Sequence, residues 1–377
     1  MIYDQVEFIL ENYNNNLINT YLIFNYNNYT YKYHIEKLLG SGSVGNVYLL
    51  KNNTNFFDKI VLKISKNKEY NNELKTEISI MNKYLKKNIN YYPIFFGKIC
   101  LKKNDNRLGI IYPYVGLYSL DKINFTLNYN NIINIIKQII LQLKSFGNII
   151  HCDLKSSNIV VNLDDNFVNA TIIDFGLINT INTKDTVLST IYLTSPESYM
   201  TNDKYLYLNQ NIVNLSKHDN YGLFTIIIDL FLDNKYIFWD IIIEYLNIYL
   251  NIDKKILIDQ DFSYIYVYCW YRFFYKDITS LCSCSFNNIN NLCCLNKKII
   301  DNIVNIHKNI FDINLNGINF LLFDDFFNLF IIEKIDYNKI NNDNISLLKD
   351  FIFNLINFNF INRFNHDQLL NHNLLLI

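Results

Sequence analysis

The chain has 377 residues, 50% of them hydrophobic and 16% aromatic, so it has the material for a large core and the length for two or three domains. Thirty-four basic residues stand against 35 acidic ones, a net charge of −1, which excludes the basic footprint of a nucleic-acid binder or of a protein held on an anionic membrane. No secretory signal is expected at Met1-Ile2-Tyr3-Asp4-Gln5, and apolar runs such as Thr225-Ile226-Ile227-Ile228 meet an aspartate long before a membrane span is complete. The protein is therefore expected to be soluble and intracellular. Its seven cysteines then read as thiols or metal ligands more than as disulfides.

Residues 1–30 read as an N-terminal extension, with one helix over residues 4–11 and then an Asn-rich connection. The stretch Tyr31-Lys32-Tyr33-His34-Ile35-Glu36-Lys37-Leu38 is rich in strand formers, and so is Val47-Tyr48-Leu49-Leu50. Between them lies Gly40-Ser41-Gly42-Ser43-Val44-Gly45-Asn46-Val47, a G-x-G-x-x-G-x-V pattern. Glycines between two strands cap a hairpin and do not open a helix, which argues against a dinucleotide-binding turn. Lacking Cβ atoms, such a hairpin can lay backbone N–H groups close over phosphates.

Lys59-Ile60-Val61-Leu62-Lys63-Ile64 is the next strand, and a lysine inside an apolar strand needs an anionic partner. Glu77 is the best candidate, with Glu73 its rival, because a helix presenting Glu77 also presents Ile78, Ile80, Met81 and Leu85 for packing. Further on come His151-Cys152-Asp153-Leu154-Lys155-Ser156-Ser157-Asn158 and Asp174-Phe175-Gly176. Two carboxylates, a lysine and an asparagine at this spacing are the groups that phosphoryl transfer from Mg-ATP requires.

These motifs, in this order, resemble the glycine-rich loop, strand lysine, helix glutamate, catalytic loop and metal loop of eukaryotic protein kinases. Ser195-Pro196-Glu197 resembles the family's A-P-E element, Asp219 the aspartate that begins the central helix, and Arg363 with Asp367-Gln368-Leu369-Leu370-Asn371-His372 the closing element. The resemblance covers residues 31–377. It implies an α+β, bilobal protein-kinase-like fold with a small β-rich N-lobe at 31–115 and a large, mainly helical C-lobe at 116–377. About 165 residues separate Glu197 from Arg363, a surplus of about 90 over the family, which places a long insertion at about 235–345. That insertion includes an aromatic run at 262–274 and an amphipathic helix at 299–311. It reads as an expanded C-lobe before it reads as a docking surface.

The resemblance also implies roles. Asp153 is the catalytic base, and Lys155 neutralises the phosphate in flight. Asn158 and Asp174 hold Mg2+ or Mn2+. Lys63 meets the ATP phosphates, paired with Glu77. Gly40, Ser41, Gly42, Ser43, Val44 and Gly45 cover those phosphates. Val47, Val61 and Val160 form the adenine slot, and the backbone from Pro113 to Val115 meets the adenine edge, with Tyr112 as gatekeeper. Lys155, with Thr190 seven residues before Glu197, favours serine or threonine of a protein substrate as acceptor. Glu197 and Arg363 form a buried pair.

Three residues depart from the family pattern, of which Val61, where an alanine usually roofs the adenine, implies a somewhat tighter nucleotide pocket. Cys152 stands where an arginine normally receives an activation-loop phosphate, which implies activity without that switch even though Thr183, Thr186 and Ser189 offer acceptors. Phe224 stands where the central helix carries glycine, which implies repacking. Cys282, Cys284, Cys293 and Cys294, with Cys269 nearby, are clustered. Their spacing is not that of paired C-x-x-C, so packed thiols are favoured over zinc. His307, His366 and His372 have no evident partners in the sequence. Abundant Asn, Ile, Tyr, Lys and Phe point to a large DNA virus or an AT-rich protist, so the expected compartment is the cytoplasm, of a host if viral, or a virion. The alternatives are a pseudokinase scaffold, against which Lys63, Asp153 and Asp174 speak, and a small-molecule phosphotransferase, against which the A-P-E-like element speaks.

Overall fold

The computed structural model describes residues 6–11, 17–52, 58–84, 95–100, 106–116, 118–123, 126–164, 167–180, 195, 217–232, 238–250, 322–357 and 363–376. The chain divides into two compact units. The first is Met1–Ser119 with Val160–Asn162 and Thr171–Ile178, and the second is Leu120–Ile159, Leu163–Ala170 and Asn179–Ile377.

The first unit is built on a closed barrel. Its strands are β1 (Phe8–Glu11), β2 (Tyr21–Tyr26), β3 (Tyr29–Ser41), β4 (Gly45–Lys51), β5 (Lys59–Ser65), β6 (Phe95–Cys100) and β7 (Asn106–Pro113). Their spatial order is β1-β2-β3-β4-β5-β7-β6, and the barrel closes where β1 runs parallel to β6, with Phe8 opposite Ile99.

The N-terminal segment departs from expectation. In place of the helix anticipated over residues 4–11, residues 8–11 form a strand in which Phe8 is buried and Ile9 exposed. A short apolar run such as Phe8-Ile9-Leu10 carries no periodicity that separates strand from helix. The backbones of β2 and β6 on either side decide for the strand, because an unpaired sheet edge is costly to leave open. Strand β2 likewise lies within the expected connection. It turns into β3 at Asn27 and Asn28, whose φ values of 50° and 65° suit a two-residue hairpin turn that asparagine tolerates.

Side chains alternate across these strands. One face encloses Phe8, Leu22, Phe24, Tyr33, Leu50 and Leu62 in a single core, where Phe24 stacks on Tyr33 and meets Phe8 edge-on. The other face of β5 and β7 receives helix α1 (Asn71–Tyr84), whose Leu74 and Ile78 pack with Leu108 and Ile110. Register then fixes which residues share that face. Lys63 lies opposite both Val47 and Ile110, and Val61 lies opposite Tyr112. The strand β8 (Tyr118–Ser119) pairs with Val160 and Val161, which adds Val160 to this unit.

The second unit is mainly helical. Helix α2 (Tyr129–Phe146) is capped by Asn128 and buries Ile132, Ile135, Ile136, Ile139 and Ile140. After it come the short strands β9 (Ile149–Ile150), β10 (Ile159–Asp164), β11 (Phe167–Ile172) and β12 (Asn179–Thr180), of which β9 and β12 pair. Helix α3 (Asp219–Phe231) is buried on every side, as suits a central helix apolar nearly all round. Phe224, the expected repacked position, is buried with its ring edge-on to Phe238 at 4.6 Å.

Of the stretch at 235–345, the described parts are α4 (Phe238–Leu250) and residues 322–345, which include α5 (Phe323–Phe326). Tyr245 of α4 meets Phe326 and Phe330 edge-on. The N–H of Asp336 donates to the Phe231 carbonyl at 2.9 Å, and Lys339 Nζ donates to that of Leu232 at 2.7 Å. The unit ends in α6 (Asn342–Ile356), α7 (His366–Leu370) with an Asn365–Gln368 capping box, and α8 (Asn373–Leu376). Residues 262–274, the 299–311 segment and the five cysteines from Cys269 to Cys294 lie outside the described residues. Among the described residues, no helix is long and apolar enough to cross a membrane.

Candidate active site

In the first unit the strand lysine does find its glutamate. Lys63 Nζ lies 2.9 Å from Glu77 Oε2 and 3.2 Å from Oε1, with both side chains buried. It also donates to Asp174 Oδ1 at 2.6 Å, so three of the expected residues meet at one ammonium group. Burial by itself disfavours the charged lysine, but the carboxylates of Glu77 and Asp174 outweigh it and hold the Lys63 pKa above its ordinary value. Glu77 is thus the partner. Glu73, one turn earlier on α1, is exposed. Asp174 sits at φ 61°, a left-handed conformation rare outside glycine.

The glycine-rich segment caps the β3–β4 hairpin, closed by a hydrogen bond from the Gly42 N–H to the Gly45 carbonyl. Residues Gly40, Ser41, Gly42 and Ser43 are exposed, while Val44 packs against the α1 cluster. Of the segment's three glycines, Gly45 is the one at which the described residues forbid a side chain, because a Cβ there would lie 2.7 Å from the Ile64 carbonyl oxygen. Among the described residues, nothing comparable crowds Gly40 or Gly42. Val47, Val61, Pro113, Val115 and Val160 are all half-buried in this unit.

The second unit gathers the other expected residues. Lys155 Nζ lies 2.7 Å from Asp153 Oδ2, and Asn158 Nδ2 donates to the same oxygen at 3.1 Å and to the Asp153 carbonyl at 2.8 Å. The loop is fixed from below by Asp219 at the start of α3. Its two carboxylate oxygens accept the N–H groups of His151 at 2.7 Å and Cys152 at 3.0 Å. That double anchor holds Cys152 at φ 67°, where a non-glycine residue is strained by about 1–2 kcal/mol. The Cys152 side chain is buried, and burial with the Asp219 and Asp153 charges pushes its thiol pKa well up, so it stays protonated and unreactive. Helix α3 touches the loop at Gly222, where a Cβ would fall 2.3 Å from the Leu154 carbonyl oxygen.

Several site features were not legible beforehand. Tyr112 turns its hydroxyl onto Glu77 Oε1 at 2.7 Å. Asp229 accepts the Phe238 N–H and the Ser156 hydroxyl. An acidic residue set in the apolar run of α3 was the available signal, since a buried carboxylate needs donors. His372, which had no evident partner, lies 3.0 Å from Asp350 across α6. Arg363 is buried as expected and donates from Nε to the Asn357 carbonyl at 2.6 Å, its guanidinium over the Tyr221 ring. Glu197, its expected partner, and Thr183, Thr186, Ser189 and Thr190 lie outside the described residues. Ser195 is described, and hydrogen-bonds His218 Nδ1 at 2.9 Å. Among the described residues, no group of three or more His, Cys, Asp or Glu is placed to hold a metal.

A family model for the protein kinase domain matches residues 33–375. A crystal structure of a kinase domain matches with a TM-score of 0.54 and 14% identity, over 91% of this chain and 95% of that one, a likeness of fold. No curated protein matches the chain.

Proposed function

This chain belongs to the protein kinase family, with its bilobal fold, and we propose that it transfers the γ-phosphate of Mg-ATP to serine or threonine hydroxyls of protein substrates. The observation that carries this reading is the cluster of Asp153, Lys155 and Asn158, a carboxylate fixed by a lysine at 2.7 Å and an amide at 3.1 Å. Asp153 accepts the proton of the acceptor hydroxyl as its oxygen bonds to the γ-phosphorus and the bond to the bridging oxygen breaks. Lys155 is assigned to neutralise charge on the transferring group. Lys63, held charged by its carboxylate partners, meets the phosphates, and the backbone from Gly40 to Gly45, exposed as far as Ser43, covers them.

Asp174 and Asn158 are assigned to magnesium or manganese. Carboxylate and amide oxygens suit such hard cations, and the Asn158 amide nitrogen is already committed to Asp153, leaving its oxygen as the donor. The bound ion would screen the phosphate charges. Val47, Val61 and Val160, with the backbone from Pro113 to Val115, are assigned to the adenine. Cys152, a buried thiol without charge, cannot clasp an activation-loop phosphate, so activity requires none.

The test is transfer of label from γ-labelled ATP, with magnesium, to generic protein substrates by the phosphatase-treated chain. Asp153→Asn should lower turnover by about 10²–10⁴-fold while nucleotide binding persists. Full activity in that variant removes Asp153 from the mechanism, and label appearing mainly on tyrosine overturns the acceptor assignment.

A further inference from the structure

Glu77 is 2% exposed, and a carboxylate so deeply buried must have its charge met by donors. Lys63 answers it only in part. One ammonium group, with three donors and a single positive charge, faces the carboxylates of both Glu77 and Asp174, and its shortest contact, 2.6 Å, is to Asp174. The second donor to Glu77 is the phenol of Tyr112, 2.7 Å from Oε1 and 3.8 Å from the Met81 sulfur one turn further along α1. Tyr112 belongs to β7 and lies opposite Val61, two residues before Lys63 on β5. Its ring packs against the cluster of Leu74, Ile78, Leu108 and Ile110. The hydroxyl therefore ties one turn of the helix to the strand beside the one that carries the lysine.

We propose that Tyr112 is a positioning residue, whose hydroxyl holds Glu77, and through it α1 and Lys63, in register while Lys63 changes partners. The inference rests on the phosphotransfer reading given above. For Lys63 to meet a nucleotide phosphate it must redirect a donor now spent on a carboxylate. A glutamate that depended on the lysine alone would lose part of its satisfaction at that moment, and α1 would be free to turn it towards water. The Tyr112 donor comes from a strand paired on both sides, by β5 and β6, and does not move with the lysine. A hydrogen bond from a neutral hydroxyl to a buried carboxylate is of the strong, charge-assisted kind. Phenylalanine would keep the packing of the ring and lose that bond alone.

The test is Tyr112→Phe in the full chain, read in two ways. In steady-state kinetics with Mg-ATP and a generic protein substrate, kcat should fall about 10-fold, the order expected for one hydrogen bond to a charged group. KM for ATP should stay within about twofold, since the phosphates still meet Lys63. In amide hydrogen exchange without nucleotide, residues 71–84 should exchange faster than in the wild type, with barrel strands β3 and β4 unchanged. An unaltered kcat, or α1 exchange equal to the wild type, overturns the inference. Loss of protection throughout the barrel would also overturn it, by showing a merely structural role. A wild-type chain that transfers no phosphate defeats the phosphotransfer reading instead, and the exchange measurement still decides whether Tyr112 holds α1.

Discussion

Asp229 is a carboxylate in an apolar helix, and its surroundings set its charge. Burial raises its pKa from the ordinary 3.8 to about 6, while the Phe238 N–H and the Ser156 hydroxyl offset part of that rise. A carboxyl group whose pKa is higher when folded favours the folded state while protonated. Its contribution is present below about pH 4 and is lost as pH rises through about 6. Asp229→Asn keeps the shape and removes the titration. Relative to that variant, the wild type should gain up to about 3 kcal/mol between pH 7.5 and pH 4, measured by urea unfolding at each pH. Parallel curves for the two proteins would show that Asp229 does not titrate in this range. The Glu77 partnership was legible in the sequence at this scale, because a lysine within an apolar strand demands a carboxylate on the facing helix. The Tyr112 bond was not, because nothing local distinguishes a tyrosine that packs from one that packs and donates.

At the scale of elements, buried polar contacts join what the chain separates. Asp219, the first residue of α3, secures the loop before Asp153 through two backbone N–H groups, and Gly222 lets the same helix approach Leu154. Arg363 does similar work at the same end of α3. Its guanidinium lies 4.8 Å from the centroid of the Tyr221 ring, and its Nε bonds the carbonyl of Asn357, just past the end of α6. Truncating it removes that bond and opens a cavity. Arg363→Ala should cost about 2–5 kcal/mol, read as a lower urea midpoint. Arg363→Lys should recover only part of it, because an ammonium group cannot both stack on the ring and reach the carbonyl in plane. An unchanged midpoint for the alanine variant would mean that these contacts contribute nothing. The burial of Arg363 could be read from its place in the closing motif. Its contact with Tyr221 could not, since 142 positions separate the two residues.

Over the molecule, the N-terminal strands change the character of the β-rich unit. Without β1 and β2, the inner face of β3, β4, β5 and β7 would present Tyr33, Leu50 and Leu62 to water, and β6 would keep an open edge. Closure supplies Phe8, Leu22 and Phe24 as the plug and β1 as the parallel partner of β6. Phe24 is 1% exposed, so Phe24→Ala should destabilise this unit by about 3–5 kcal/mol, measured as a shift in the unfolding midpoint. Tyr29→Ala, at a site 70% exposed in the same hairpin, should shift it little. Equal effects from the two would contradict the plugged barrel.

The sequence by itself determined which polar groups of this protein stand together along the chain. Asp153, Lys155 and Asn158 lie within six residues of one another, Asp174 follows closely, and the glycine turn lies between two adjacent strands, so local spacing alone specifies these groups. The tertiary structure decided where Phe8-Ile9-Leu10 belongs, which residue shares Glu77 with Lys63, and what surrounds Asp229. The physical reason is common to all three. A short apolar run, a phenol and a buried carboxylate each have several satisfactory states in isolation. The choice among them is made by partners distant in sequence, supplied by the edge of β6, the turn of α1 and the start of α4.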